Sequence, residues 1–173
     1  MFNIMKLTIK AEKEESTQVV GSCLGKCLNK GVVVLMSGDL GAGKTTMTKA
    51  VAEGLGIDPA YVTSPTFAIL HHFPEGRLPL VHVDLYRLGN NADLDEIGIE
   101  EYLDGEHVVI VEWSEHLPEQ SPLKDRAILI SLTFDDISCR TITFFIPQEF
   151  DDLISCLRKC FDKSELRYES TGA

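Results

Sequence analysis

The chain has 173 residues, of which 44% are hydrophobic and 25% charged, a composition typical of one soluble globular domain. Its net charge of −11 argues against a free-standing nucleic-acid binder, because such proteins carry basic surfaces. No apolar run is long enough to cross a membrane and no signal-peptide core is present, so we expect a cytoplasmic protein with no membrane partner.

The first predicted elements lead into a buried strand. Residues 5–11 (MKLTIKA) alternate apolar and polar side chains and predict an edge strand. A helix follows, because apolar residues recur at intervals of three and four until Gly31 ends it. These residues are Val19, Val20, Cys23, Leu24, Cys27 and Leu28. Residues 31–36 (GVVVLM) then form a continuous apolar run, which indicates a buried strand.

Residues 37–46 (SGDLGAGKTT) match the pattern of a phosphate-binding loop in full. Lys44 would reach the β- and γ-phosphates of a nucleotide, and the Thr45 hydroxyl would bind Mg²⁺. A helix is predicted just downstream (TKAVAEGLG, residues 48–56), and its positive N-terminal end favours phosphate. The predicted nucleotide-binding residues are Gly38, Asp39, Leu40, Gly41, Ala42, Gly43, Lys44, Thr45 and Thr46.

Two predicted strands end in an acid. Residues 78–86 (LPLVHVDLY) contain Asp84, and residues 107–113 (HVVIVEW) contain Glu112. Both acids would lie at the carboxyl edge of the sheet, where ligands bind, and phosphoryl chemistry needs a carboxylate near its metal. We predict that both are catalytic and metal-binding, while the spacing leaves open which holds metal and which orients water. His82 and Tyr86 share a strand face with Asp84.

Thr66 is a third catalytic candidate. It lies in residues 63–67 (TSPTF), between the loop helix and the next strand, where a threonine of small nucleotide switches senses the γ-phosphate and Mg²⁺. The adjoining residues 66–73 predict a strand, and a turn at residues 74–77 (PEGR) joins it to the strand that carries Asp84.

The rest of the chain completes an α/β domain. Residues 94–103 (LDEIGIEEYL) predict a helix, and residues 126–134 and 138–146 predict an antiparallel strand pair. A last helix has the apolar stripe Phe150, Leu153, Ile154, Leu157 and Phe161. The fold class is a P-loop NTPase-type, mainly parallel sheet with antiparallel additions, flanked by helices. We expect one domain over residues 1–163 and a polar, frayed tail over 164–173.

Cysteines and acids give two further expectations. Cys23 and Cys27, and likewise Cys156 and Cys160, are four residues apart on helical stretches, which predicts buried apolar positions with unpaired thiols rather than a zinc site. Residues 88–123 hold ten carboxylates and no Lys or Arg. This stretch predicts either a solvated acidic face or a docking face for a basic protein partner.

Four stretches, in their order and at their separations, resemble the TsaE family, formerly YjeE. They are GDLGAGKTT, TSPTF, HVDLYRL and VVIVEW, and the resemblance runs from about Leu7 to about Ile146. Members of this family are bacterial ATPases required for the t6A37 threonylcarbamoyladenosine modification of tRNA.

The resemblance implies that the chain binds and hydrolyses MgATP to support the modification complex, with TsaB and TsaD as partners. The chain would not itself be the transferase. Its net charge of −11 separately predicts that alone it would bind tRNA weakly or not at all. Lys44 and Thr45 match the family's loop and Thr66 its switch-like segment. Asp84 matches its His-x-Asp-x-Tyr-Arg segment, and Glu112 its strand-end acid.

Two other function classes remain. A small-molecule kinase covers the transferred phosphate with several arginines, but only Arg77 and Arg87 lie between the loop and Glu112. A nucleotide-dependent binding module without significant turnover has no need of two strand-end acids. ATP is favoured over GTP because no guanine-reading Asn/Thr-Lys-x-Asp motif follows the loop.

Overall fold

The computed structural model of the chain describes residues 3–64 and 68–172. Its helices are α1 (Glu14–Cys27), α2 (Lys44–Gly54), α3 (Leu94–Ile97) and α4 (Asp151–Lys163). Its strands are β1 (Ile4–Ala11), β2 (Val32–Ser37), β3 (Leu70–Phe73), β4 (Leu80–Asp84), β5 (Val108–Glu112), β6 (Ile128–Phe134), β7 (Arg140–Pro147) and β8 (Tyr168–Thr171). No helix within these described ranges is long and apolar enough to cross a bilayer.

All of these strands belong to one sheet, in the order β3-β4-β5-β2-β6-β7-β1-β8. The central strands β4, β5, β2 and β6 are parallel, and the flanking strands pair antiparallel. The predicted α/β class, with a parallel nucleotide-binding centre and antiparallel additions, is confirmed. The additions extend further than expected, because β7, β1 and β8 together widen the sheet by three strands.

Both faces of the parallel centre are covered, which explains why its strands are apolar throughout. One face, which includes Val34 and Ile110, packs against α1, α2 and α4. The other face includes Leu35 and Val111. The predicted stripes of α1 and α4 face the first of these layers, where Leu24 and Leu157 are fully buried.

The frayed tail and the edge position of β1 were both predicted wrongly. Residues 168–171 form β8, which pairs antiparallel with β1, so that β1 lies between β7 and β8. The Tyr168 ring lies 5.6 Å from that of Phe161, and Arg158 donates a 2.5 Å hydrogen bond to the Ser170 hydroxyl. β8 is held at the edge of the sheet mainly by backbone pairing with β1, and most of its side chains are exposed. Its sequence therefore lacks the apolar pattern from which a strand is predicted.

The single helix predicted over residues 94–103 is also wrong. α3 ends at Ile97 because Gly98 adopts a left-handed conformation (φ 72°), in which its N–H bonds to the carbonyls of Leu94 and Asp95. A separate 3₁₀ turn, Ile99–Tyr102, follows. Only Ile99 of this turn is buried, so the turn leaves its acidic side chains exposed.

Four of the five cysteines are paired, which overturns the prediction of unpaired thiols. Disulfides join Cys23 to Cys160 and Cys27 to Cys156. The two bonds connect α1 to α4 one helical turn apart, because each helix carries the same four-residue spacing and the helices run in opposite directions. Cys139 alone is free among the described cysteines.

Candidate active site

The phosphate-binding loop joins β2 to α2 at the carboxyl edge of the sheet. Gly38 has φ 145°, and a Cβ added there would lie 2.3 Å from the carbonyl oxygen of Leu132 on β6, so only glycine fits. Within the loop, the Ala42 N–H donates to the Asp39 carbonyl at 3.0 Å. The predicted succession of strand, loop and helix is therefore confirmed, and the N-terminal end of α2 points its dipole at the loop.

Lys44, the first residue of α2, is buried within its own loop with 5% of its surface exposed. Its Nζ donates hydrogen bonds to the carbonyls of Gly38 and Asp39, the latter at 2.9 Å, and lies 3.9 Å from the centre of the Trp113 ring. Burial lowers the pKa of Lys44, while the nearby carboxylates of Glu115, Glu112, Asp84 and Asp39 oppose that shift. The carbonyls, the indole ring and the carboxylates thus stabilise a cation beside the loop.

Glu112, the last residue of β5, is bonded on both of its carboxylate oxygens. Oε1 accepts hydrogen bonds from His82 Nε2 and Thr48 Oγ1, each at 2.8 Å. Oε2 accepts one from Thr45 Oγ1 at 3.0 Å. Burial alone would raise the pKa of Glu112, yet the interactions with His82, Thr48 and Thr45 hold that pKa below its usual value. A carboxylate is therefore joined to the loop threonine predicted to bind Mg²⁺.

Asp84, the last residue of β4, lies beside Glu112 in the parallel register. It is only half-buried, and it accepts hydrogen bonds from Ser64 Oγ at 2.8 Å and from the Tyr86 N–H at 3.0 Å. The prediction that both acids reach the same edge of the sheet is confirmed. Their surroundings differ, since Glu112 is bonded to the loop and Asp84 to the segment before β3.

The predicted residues converge on a cleft of about 280 Å³. Its lining residues are Leu40, Gly41, Gly43, Lys44, Thr45, Thr46, Ser64, Asp84, Tyr86, Glu112 and Trp113. Of the other predicted loop residues, Gly38 and Asp39 contact Lys44 through their carbonyls, and Ala42 is fully buried. Thr66 lies outside the described residues, so its role stays a prediction.

Several contributors were absent from the predicted site. Thr48 could have been found, because it lies one helical turn after Lys44 on α2. Ser64 bonds to Asp84, and Glu115 accepts a 3.4 Å contact from the Gly38 N–H. No motif or periodic pattern in the sequence indicated either residue. Trp113 turns the chain after β5 in a left-handed conformation (φ 58°), and its ring lies 4.9 Å from that of Tyr86.

The donor set suits Mg²⁺ held jointly with a nucleotide better than a metal held by protein alone. Within the described ranges, no three His, Cys, Asp or Glu side chains are grouped so as to hold a metal ion. Mg²⁺ usually takes one or two protein oxygens and completes its coordination with phosphates and water. Thr45 and Glu112 offer such oxygens next to a loop shaped for phosphate.

The family model described as "Threonylcarbamoyl adenosine biosynthesis protein TsaE" matches residues 11–142. The tRNA threonylcarbamoyladenosine biosynthesis protein TsaE of Bacillus subtilis (strain 168) is 42% identical over 130 residues, covering 75% of this chain and 79% of that relative. The protein of the same name from Nostoc sp. (strain PCC 7120) is 40% identical over 131 residues, covering 73% and 78%.

A solved structure shows the same fold. The crystal structure of Bacillus subtilis YdiB superposes with a TM-score of 0.70 at 32% identity, covering 90% of this chain and 96% of that one. The family match spans the loop, Asp84 and Glu112, and it ends within β7. The helix α4, with its two disulfide-bonded cysteines, lies beyond it.

Proposed function

The chain belongs to the TsaE family of threonylcarbamoyl adenosine biosynthesis proteins, and we propose that it binds MgATP and hydrolyses it to support the tRNA-modifying assembly. It does not itself transfer the threonylcarbamoyl group. The observation that carries this proposal is the 3.0 Å hydrogen bond between Thr45 and Glu112. That bond links a phosphate-binding loop to a strand-end carboxylate, the combination on which MgATP chemistry depends.

The loop, Thr45 with Glu112, and Asp84 have different roles in the proposed reaction. The loop backbone and Lys44 would bind the phosphates, whose negative charge attracts the Lys44 ammonium more strongly than the neutral loop carbonyls do. Thr45 and Glu112 would hold Mg²⁺, which would supply positive charge to the phosphate oxygens. Asp84 is half-buried and not bonded to the loop threonine, so it is suited to orient the attacking water.

The position of Arg77 disfavours the kinase alternative. Arg77 donates hydrogen bonds to the carbonyls of Leu28 and Gly25 at 2.6 and 2.7 Å, and so caps the C-terminal end of α1. It is thereby committed to holding the β3–β4 hairpin against α1. Arg77 is therefore not available to cover the transferred phosphate as an arginine of a kinase lid does.

TsaB and TsaD are the proposed partners, and the proposed docking surface is acidic. Glu100 and Glu101 are exposed on the 3₁₀ turn, and Glu96 is exposed on α3. The net charge of −11 repels nucleic-acid phosphates, so tRNA is reached through the partners and not directly.

Phosphate release tests the proposal. The purified chain is incubated with MgATP, with and without purified TsaB and TsaD, in the absence of any small-molecule acceptor. We expect inorganic phosphate and ADP from the chain alone and faster turnover with the partners. ADP that forms only after a small-molecule acceptor is added would indicate a kinase, and nucleotide binding without turnover under either condition would indicate a binding module.

A further inference from the structure

His82 is a fully buried histidine directly beneath the cleft. It lies in β4, two residues before Asp84, and pairs in register with Ile110 of β5, so it shares a sheet face with Glu112. Its Nε2 lies 2.8 Å from Glu112 Oε1. Its Nδ1 is buried and has no hydrogen-bond partner among residues 3–64 and 68–172.

That unpartnered nitrogen indicates what the histidine is for. A buried polar atom without a partner is unfavourable, and an apolar residue would fill this position in an otherwise apolar strand without that cost. The contribution that an apolar residue cannot make is the Nε2–H donated to Glu112. Because Nε2 faces a carboxylate, it carries the proton, and the unpaired atom is Nδ1.

Thr48, on α2, bonds the same carboxylate oxygen. Its hydroxyl is fully buried and lies 2.8 Å from Glu112 Oε1 and 3.0 Å from the carbonyl of Lys44. A hydroxyl has one proton, and the shorter contact to a charged acceptor is the stronger of the two. Glu112 Oε1 is therefore occupied by donors from a strand and from a helix, while Oε2 is left to Thr45.

We propose that His82 and Thr48 are positioning residues that lock the Glu112 carboxylate, so that Oε2 alone is presented to Thr45 and Mg²⁺. This inference rests on the proposed MgATP site. The terminal torsion of a glutamate is soft, so a carboxylate without fixed donors samples many orientations. Misplacement of a reacting group by about 1 Å can cost about 100-fold in rate, and residues that orient metal ligands have large effects without touching substrate.

The test compares substitutions that keep or remove the donors. His82→Gln keeps an N–H donor near the position of Nε2, whereas His82→Leu removes the donor at similar volume, and Thr48→Val removes only the hydroxyl. His71→Leu is the matched control, because His71 pairs with His82 in register on β3 but takes no part in the cleft. Each variant is measured for its thermal midpoint, its nucleotide affinity with and without Mg²⁺, and its single-turnover hydrolysis rate.

We expect His82→Leu and Thr48→Val each to lower the hydrolysis rate about 10- to 100-fold, the usual effect of losing a residue that orients a metal ligand. Affinity for ATP without Mg²⁺ should be unchanged, while the factor by which Mg²⁺ tightens binding should fall. His82→Gln should retain most of the wild-type rate, and His71→Leu all of it. If His82→Leu does not fold, Thr48→Val and the Gln variant carry the test.

A double-mutant comparison separates positioning from a merely structural role. Because His82 acts through Glu112, adding His82→Leu to Glu112→Gln should not slow hydrolysis further. An equal further loss in that background, or a Gln variant as slow as the Leu variant, would overturn the proposal. A wild type that binds nucleotide in a Mg²⁺-dependent way without turnover would overturn only the ATPase function, since the Mg²⁺ effect still reports the locked carboxylate. A wild type that binds no nucleotide would overturn both.

Discussion

At the carboxyl edge of the parallel strands, buried polar groups are joined by hydrogen bonds, whereas between α1 and α4 the helices are joined by apolar packing and two disulfides. We call the first region the cleft edge and the second the disulfide face. His82, Thr48 and Glu112 are almost completely buried at the cleft edge. Such groups stabilise a fold little compared with apolar side chains, so their placement points to chemistry.

Substitutions in the two regions should therefore change different measurable properties. A substitution at the cleft edge should alter nucleotide binding or turnover while the protein stays folded. A substitution at the disulfide face should alter the free energy of unfolding while nucleotide binding stays intact. The following predictions test this separation, from the largest expected effect to the smallest.

Lys44→Ala should produce the largest change. Lys44 supplies a buried positive charge beside the loop, and charged hydrogen bonds of this kind contribute about 1.5–3 kcal/mol each, so MgATP affinity should fall by roughly 100-fold or more. Titration calorimetry with ATP and Mg²⁺ measures the loss, and the thermal midpoint checks the fold. Undiminished affinity in a folded variant would contradict the assignment of the loop.

Substitutions of the two acids should differ in their effect on the Mg²⁺ requirement. Glu112→Ala and Asp84→Ala should each slow single-turnover hydrolysis by about 100-fold, the scale of one well-placed catalytic group. Only Glu112→Ala should also raise the Mg²⁺ concentration needed for half the maximal rate, because only Glu112 is bonded to Thr45. Equal Mg²⁺ requirements in the two variants would refute the division of roles.

The disulfides should affect stability and not nucleotide binding. Replacing Cys23 and Cys160 with serine removes one of the two cross-links between α1 and α4 while Cys27–Cys156 remains, and the free energy of unfolding should fall by about 2–4 kcal/mol. Cys139→Ser is the matched control, because that thiol is free. Denaturant unfolding and calorimetry are run on the same samples. A weakened MgATP affinity in the disulfide variant would show that the two regions are coupled.

Charge reversal of the acidic surface should have the smallest effect. Changing Glu96, Glu100 and Glu101 to lysine should slow association with TsaB and TsaD in low salt and leave MgATP affinity unchanged. Asp104 is spared, because the N–H groups of Glu106 and His107 donate to its carboxylate and lower its pKa to about 2. Its loss would disturb the turn before β5.

The control for this reversal is a separate group of exposed acids. Glu12 and Glu165 are exposed and lie near Glu169, an exposed residue of β8. Reversing their charges changes the net charge by the same amount. Stopped-flow association of both variants should show slowing only for the first set, and equal slowing would mean that net charge, not a docking surface, sets the rate.

The cleft edge was largely predictable from sequence, and the disulfide face was not. Lys44 and Thr45 belong to a contiguous motif, and Asp84 and Glu112 end apolar strands, so local patterns identified them. The four-residue spacings of the cysteines indicated two helices but carried no information on which helices meet. β8 was missed for a similar reason, because its partner β1 lies at the other end of the chain.

Within the site, the limit of prediction has the same cause. The face shared by His82 and Asp84 follows from strand alternation, but the hydrogen bond from His82 to Glu112 depends on β4 and β5 being neighbours in register. Ser64 lines the cleft from an irregular segment, and Glu115 contacts the Gly38 N–H from a 3₁₀ turn after β5. No periodic pattern in the sequence describes the path of either segment. Chemistry carried by one segment could thus be predicted, while contacts between segments required the fold.

Single-turnover hydrolysis by the wild type and Glu112→Gln tests the central claim most directly. Both proteins are first saturated with ATP, so that binding does not limit the rate, and Mg²⁺ is then added and phosphate release is followed. The account predicts prompt release from the wild type and release slowed by about 100-fold from the variant, with similar ATP affinity in both. Equal rates in the two proteins would contradict it, because the carboxylate bonded to Thr45 would then have no part in turnover.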